Sequence, residues 1–194
     1  LLCGARPFGL VAVGPSMMPT LRSKSPPEES QPSTAAERSE RDFLRWALNG
    51  AVGGALATAV MSAYRMPVAA SLPPTARFWS AYVAGGEPGD HPVPAVVLHV
   101  AYGAVAGAVF GALFGPVCGR RADQTAREAG GVVLGTLYAL ALSAFGERAV
   151  LAGLLSTDLD ATESLVFHVG HLVYGLSLGS WVASGSTAED LDPR

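Results

Sequence analysis

Three of the four histidines, His99, His168 and His171, stand out because they lie inside, rather than at the edge of, stretches of the chain that hold no charged residue. His99 and Tyr102 occur in the pattern His-x-x-Tyr-Gly, and His171 and Tyr174 repeat that pattern further along the chain. His168 precedes His171 by three residues, so a helix would place both imidazoles on one face. Imidazole exchanges protons near neutral pH and also ligates metal ions.

Three kinds of chemistry fit this cluster of histidines and tyrosines. Neutral imidazoles can join helices through hydrogen bonds to tyrosine, serine or backbone carbonyls. A site that handles protons or a small solute would use the same groups. Metal or haem ligation has a suitable residue type, although no carboxylate lies within the apolar stretches and Cys118 lies at the far end of the second one from His99. We find no P-loop and no His-Glu-x-x-His motif, and the sequence predicts no enzyme and no catalytic residue.

The elements that must position these residues are four windows without Asp, Glu, Lys or Arg: residues 46–64, 91–119, 129–146 and 164–188. A helix needs about 20 apolar residues to cross a hydrocarbon core of about 30 Å. The sequence therefore predicts an all-α fold, a bundle of four transmembrane helices in contact with a lipid bilayer. The predicted spans are about 44–64, 94–118, 129–147 and 163–184, within a domain covering 43–185. Residues 1–42 are predicted to be a disordered tail, with translation starting at Met17 or Met18, and 186–194 a C-terminal tail.

Composition excludes several other classes of protein. The net charge of −3 gives no bulk attraction to nucleic acid. Two cysteines cannot form a disulfide framework or a pair of Cys-x-x-Cys metal motifs. We therefore predict no cofactor, and we leave open haem or a divalent metal.

Basic residues predict the orientation of the four spans, because positive charge accumulates on the cytoplasmic side. One side would carry ten: Arg6, Arg22, Lys24, Arg38, Arg41, Arg45, Arg120, Arg121, Arg127 and Arg194. The other side would carry Arg65, Arg77 and Arg148. The bias predicts an inner-membrane protein with both termini in the cytoplasm.

Two connections are expected to lie at the membrane surface. Phe78, Trp79 and Tyr82 follow Leu-Pro-Pro at spacings typical of one face of a short helix, and such aromatic residues prefer the headgroup level. Residues 149–157 either extend the third span or lie flat on the membrane. Thr157 or Asp158 is the expected cap of the last helix.

Small residues recur four apart in every span, which predicts close helix packing through glycine. These glycines are Gly50, Gly54, Gly103, Gly107, Gly111, Gly115, Gly131, Gly135, Gly175 and Gly179. Together with the repeated His-x-x-Tyr-Gly pattern, they indicate two parallel repeats of two helices each, related by an axis along the membrane normal. The same glycine faces could instead join copies in a homo-oligomer.

The chain resembles the YagU-like family of small inner-membrane proteins. The resemblance rests on a glycine-rich first span (NGAVGGALA), Leu72-Pro73-Pro74, the pair His99 and Tyr102, and Gly170-His171-Leu172-Val173-Tyr174. It covers about residues 45–183 and departs at the Pro-Pro region, where the expected basic residue is displaced to Arg77. The resemblance implies membrane residence and four crossings, and no established chemistry.

The function expected from the sequence is non-enzymatic. It is structural or envelope-associated, with permeation or sensing of protons or a small solute. The alternative is a metal- or haem-binding redox subunit that uses the intramembrane histidines. The candidate site is His99, Tyr102, His168, His171 and Tyr174, and its metal, if any, is unknown.

Overall fold

The computed structural model describes residues 34–65, 67, 73–119 and 123–185, and its regular structure is entirely helical. In chain order the elements are α1 (Ala35–Arg65), α2 (Pro74–Trp79), the π-helical turn π1 (Ser80–Ala84), a 3₁₀ turn (Pro88–Asp90), α3 (Pro92–Gly119), α4 (Gln124–Phe145), the π-helix π2 (Gly146–Leu154) and α5 (Ala161–Ser184).

Four helical segments are long and apolar enough to cross a membrane, which makes the chain a multi-pass membrane protein. They are Ala35–Arg65, Pro92–Val117, Gln124–Leu154 and Ala161–Ser184. The third of these joins α4 and π2 without a break, so residues 149–154 extend the third span. The last turn of π2 keeps the π-helical hydrogen bond between residues five apart, rather than four apart as in an α-helix. There the Leu155 amide donates to the Val150 carbonyl at 2.9 Å.

The first helix begins earlier than the sequence predicted. Residues 35–42, expected to belong to the disordered tail, form the first turns of α1. Thr34 and Glu37 cap this end reciprocally: the Thr34 amide donates to Glu37 Oε2 at 2.6 Å, and the Glu37 amide donates to Thr34 Oγ1 at 3.3 Å. The capping box stabilises a polar first turn that hydropathy alone does not detect. The remainder of the predicted tail, 1–33, and the tail 186–194 lie outside the described residues.

The cap of α5 also differs from the prediction. The side chain of Asp160, rather than Thr157 or Asp158, accepts hydrogen bonds from the amides of Thr162 and Glu163, both at 2.8 Å. The Thr157 hydroxyl instead donates to the Leu155 carbonyl at 3.1 Å. The side chains of Thr157, Asp158 and Asp160 are all suited to capping, and the backbone path into α5 places Asp160 at the start of the helix.

The long helices pack as two antiparallel pairs, α1 with α3 and α4 with α5, and glycines line both interfaces. A β-carbon on Gly107 would lie 2.7 Å from the Cα atom of Gly54. In the second pair, a β-carbon on Gly135 would lie 2.8 Å from the Cα atom of Gly179. Because these neighbours are backbone atoms, only glycine permits such an approach.

Side-chain hydrogen bonds to backbone carbonyls connect the two pairs. The Tyr138 hydroxyl of α4 donates to the Ala106 carbonyl of α3 at 2.8 Å, and the Tyr174 hydroxyl of α5 donates to the Gly103 carbonyl at 2.8 Å. Nearer the end of the bundle where α5 finishes, the Trp181 indole donates to the side-chain oxygen of Asn49 at 3.0 Å. Each bond joins a helix of one pair to a helix of the other.

One end of the bundle carries the short elements. Here α1 and α4 finish, α3 and α5 begin, and α2, π1 and π2 connect them; we call it the covered end. The Tyr82 hydroxyl of π1 donates to the Leu154 carbonyl of π2 at 2.9 Å, so the two connections are joined. Phe78 packs on Tyr82 with ring centroids 5.2 Å apart. This cover overlies the halves of the spans that contain the candidate histidines.

Candidate functional site

A cavity of about 280 Å³ lies at the covered end, between α1, α2, α3, π2 and α5. Most of its wall is apolar, formed by side chains that include Met61, Phe78, Leu98, Val150, Leu151 and Phe167. Its polar lining residues are Arg65, Thr75, His99, Tyr102 and His171. A largely apolar cavity with a few convergent polar groups is the usual form of a small-molecule site.

The predicted cluster divides between this cavity and two other places. His99, Tyr102 and His171 line the cavity. His168 and Tyr174 do not line it. The side chain of Tyr174 is 3% exposed, and its hydroxyl is used in the bond to the Gly103 carbonyl. Of the five residues that the sequence grouped, three therefore meet at one site.

Within the part of the chain that the structure describes, the two cavity histidines retain nitrogens without a hydrogen bond. His171 Nδ1 lies 2.9 Å from the Phe167 carbonyl of its own helix, and since a carbonyl only accepts, Nδ1 donates. This bond leaves Nε2 of His171 unbonded, and His99 has no hydrogen-bond partner among the described residues. Both rings can therefore interact with an occupant of the cavity.

Arg65, the last residue of α1, is the functional residue that sequence reasoning missed. It was counted only as one of three basic residues on its side of the membrane. In the fold its side chain lines the cavity, and its Nε atom is buried without a hydrogen-bond partner in the described part of the chain. The available signal was its position, directly after the first uncharged window.

Thr75 links the cover to the bundle from the cavity wall. Its hydroxyl donates to the Ala95 carbonyl in the first turn of α3 at 2.7 Å, so this hydroxyl hydrogen is already used. Outside the cavity, Arg77 donates from one guanidinium nitrogen to Thr157 Oγ1 at 3.1 Å. Thr75 and Arg77 hold α2 over the ends of the long helices, and neither is a free donor in the cavity.

His168 belongs to a separate polar network between α4, π2 and α5. Its Nε2 atom lies 3.0 Å from a carboxylate oxygen of Glu147, and its Nδ1 atom is hydrogen-bonded to the Ser143 hydroxyl. The Ser164 hydroxyl donates to the second oxygen of Glu147 at 2.6 Å. This network connects the end of α4 to the first turns of α5.

The Ser143, His168 and Glu147 side chains combine the residue types of a hydrolytic triad, but their placement is unsuitable for catalysis. Ser143 is completely buried and does not line the cavity. A nucleophile must reach a reacting atom of the substrate, and this hydroxyl contacts only protein. We therefore assign these residues to helix packing.

Metal ligation has little support in the described residues. No group of three or more His, Cys, Asp or Glu side chains there is close enough to hold a metal ion. The cavity brings together two imidazoles and a guanidinium, and a guanidinium is not a metal ligand. The polar lining is thus better suited to hydrogen bonding and to negative charge.

Comparisons with protein-family models, with curated proteins and with solved structures returned no match to this chain. The resemblance to YagU-like proteins therefore stays a prediction.

Proposed function

We propose that this chain is a non-enzymatic protein of the inner membrane that binds a small solute with an apolar body in the cavity at the covered end. Binding there would serve sensing or permeation of that solute. The observation that carries the proposal is the convergence of His99, Tyr102, His171 and Arg65 on one largely apolar cavity. Ionisable side chains within membrane segments are rare, and those that face a cavity commonly mark a solute pathway.

The size of the cavity limits the solute. A dry protein cavity of about 150 Å³ holds benzene, which has six non-hydrogen atoms. By simple proportion, 280 Å³ suits about ten or eleven non-hydrogen atoms. A compound with an eight-carbon chain and a small polar group fits this limit, and a longer chain would extend outside.

Two lining residues support an entrance at the side of the bundle. Tyr102 on α3 is 41% exposed and Leu154 at the end of π2 is 47% exposed, whereas Leu151 on the inner wall is 2% exposed. An opening between Tyr102 and Leu154 would face the lipid, since both belong to membrane-spanning segments. A solute that partitions into the bilayer could enter by this route.

Filling the cavity tests this proposal. We expect the protein in phosphatidylcholine nanodiscs to bind radiolabelled octanoate or octanol saturably, at about one molecule per chain. Val150→Phe should reduce this binding about tenfold or more, because the added ring occupies space that the ligand needs. Equilibrium dialysis with empty nanodiscs subtracted measures the effect.

The matched control is Ala149→Phe, which places the same ring on the exposed neighbouring residue outside the cavity. This variant should bind as the unmodified protein does. If neither eight-carbon compound binds saturably to the unmodified protein, or if both phenylalanine variants bind equally, the proposed solute site is wrong.

We also propose that the two halves of the chain are parallel repeats. Each half has two long antiparallel helices with facing glycines and a short connecting segment at the covered end. His99 and His171 occupy equivalent positions in the two halves, and both line the cavity. Because the glycines pack against helices of the same chain, this arrangement favours packing within one chain over a glycine-mediated homo-oligomer.

The proposed orientation places both termini in the cytoplasm and the covered end outside. We expect a cysteine at Gly89, which has open space around it, to react with a membrane-impermeant maleimide added to intact cells. A cysteine at Asp123, which caps the exposed start of α4, should react only after permeabilisation. Both variants need a background without Cys3 and Cys118. Labelling of both positions from the same side contradicts the four-span topology, and the reverse pattern contradicts the orientation.

A further inference from the structure

We propose that the ligand of this cavity is an amphipathic anion: a single carboxylate or phosphate monoester head attached to an apolar chain. This inference rests on the proposed solute site and adds the chemical class of the ligand. It is carried by the charge of Arg65, which no acidic side chain balances in the described part of the chain.

Arg65 is a cation without an anionic partner among the described residues. A guanidinium remains protonated in proteins, so its charge cannot be removed by titration. The ion pair found in the described part of the chain joins His168 to Glu147, and none there involves Arg65. The sequence that follows, MPVAASL, contains no Asp or Glu. An anion bound in the cavity would supply the missing charge.

Burial makes that missing charge important. The Nε atom of Arg65 is inaccessible to water and lacks an acceptor in the described structure. The residue as a whole is half-buried, so its charge is partly withdrawn from water. Even partial burial raises the energetic cost of an unpaired charge and strengthens its attraction to a nearby opposite charge. The planar guanidinium donates two parallel hydrogen bonds to a carboxylate or a phosphate.

Three further residues of the same cavity carry groups that can bind an anion. The Tyr102 hydroxyl and both nitrogens of His99 have no hydrogen-bond partner among the described residues, and His171 retains Nε2. Tyrosine donates to an anion directly. An imidazole nitrogen can accept from a protonated carboxyl or, once protonated itself, donate to a carboxylate. The polar lining thus offers several donors to one negative group.

The rest of the wall selects for an apolar chain. Met61, Leu98, Val150 and Phe167 offer no hydrogen bond to an inorganic ion, which would also lose its hydration shell on entry. Contact with this wall stabilises a bound alkyl chain. An alkyl compound can also reach the cavity from the lipid by the proposed lateral entrance. The observations therefore favour an amphiphile over free phosphate.

A charge series on the unmodified protein tests the inference without any substitution. In phosphatidylcholine nanodiscs we expect octanoate to bind about tenfold or more tightly than octanol, and octylammonium not to compete. Hexyl phosphate, which meets the same size limit, is compared with hexanol in the same way. The larger of the two gains in affinity, from octanol to octanoate or from hexanol to hexyl phosphate, identifies the head as a free carboxylate or a lipid-type phosphate. Equal affinity for octanoate and octanol, or tighter binding of octylammonium, overturns the inference.

Arg65 variants assign the effect to this side chain. Arg65→Met should weaken octanoate binding about tenfold or more and leave octanol binding within about twofold, while Arg65→Lys should retain part of the preference for octanoate. Arg148→Met is the matched control, because that arginine is exposed and lies outside the cavity. Unchanged octanoate binding in Arg65→Met contradicts the inference, and if that variant does not fold, the charge series decides.

The two proposals fail in different ways. If octanol binds saturably and octanoate binds no better, the solute site survives and its anionic character is wrong. If no eight-carbon compound binds, the site itself is wrong and the anion inference falls with it.

Discussion

Gly107→Leu is expected to destabilise the bundle by about 3 kcal/mol or more, the largest loss that we expect from a single substitution in this protein. A β-carbon at this position would lie 2.7 Å from the Cα atom and 2.9 Å from the amide nitrogen of Gly54. Both neighbours are backbone atoms of α1, so no change of rotamer can relieve the overlap. The helices α1 and α3 would have to separate and would lose the packing that holds helices together in lipid.

Thermal unfolding in mild detergent, followed by size-exclusion chromatography, measures this loss. Gly107→Ala should give a smaller loss in the same direction, because it adds only the β-carbon. Val105→Leu is the control on the same helix; its side chain is 65% exposed, and we expect a change within about 0.5 kcal/mol. A Gly107→Leu protein as stable as Val105→Leu would show that α1 and α3 do not approach closely at these glycines.

Phe110→Ala is expected to have the second largest effect, a loss of about 2–4 kcal/mol. Phe110 is completely buried, and its ring centroid lies 5.1 Å from that of Phe114 and 5.3 Å from that of Tyr138. The contact with Tyr138 joins α3 to α4 and hence one helix pair to the other. Truncation leaves a cavity at this junction, and the surrounding backbone is too closely packed to close it.

The lipid environment sets the size of that loss. In water, truncating a buried phenylalanine also loses the free energy gained when its ring was transferred out of solvent. In a membrane this term is small, because an unpacked helix keeps its side chains in an apolar medium. The expected cost is therefore mainly that of the cavity and of lost contacts. Val109→Ala, whose side chain is 45% exposed, is the matched control and should have a small effect. The free energies of unfolding of the two variants are compared in a sodium dodecyl sulfate titration. Equal losses of stability in Phe110→Ala and Val109→Ala would mean that Phe110 does not pack between the helix pairs.

The sequence by itself determined the helical spans, because crossing a hydrocarbon core requires long apolar segments whose backbone hydrogen bonds are satisfied internally. Windows without charge therefore located all four candidate spans. The bounds of the second and fourth agree within two residues, whereas the first span begins earlier and the third extends further at both ends. Hydropathy could not detect the start of α1 at Ala35, since Thr34 and Glu37 stabilise that end through local hydrogen bonds. For the same reason Asp160 was not distinguished from the neighbouring candidates as the cap of α5.

Only the tertiary structure decided which polar residues meet. Three residues of separation placed His168 and His171 on one side of α5, yet the imidazole of His168 contacts Ser143 and Glu147 while that of His171 lines the cavity. A helix turns by about 100° per residue, so two residues that share a broad face still differ in direction by about 60°. Which neighbouring helix lies in each direction depends on how the two pairs pack.

The same packing made Arg65 a candidate binding residue. In the sequence it is a basic residue at the end of a span, a position where arginine commonly extends to the interface. In the fold, α2 and π2 cover that end of the bundle, and its guanidinium lines a cavity instead. A sequence pattern records that a charge lies at a given position along a helix. Whether the charge meets water, a carboxylate or an empty cavity depends on segments distant in the chain.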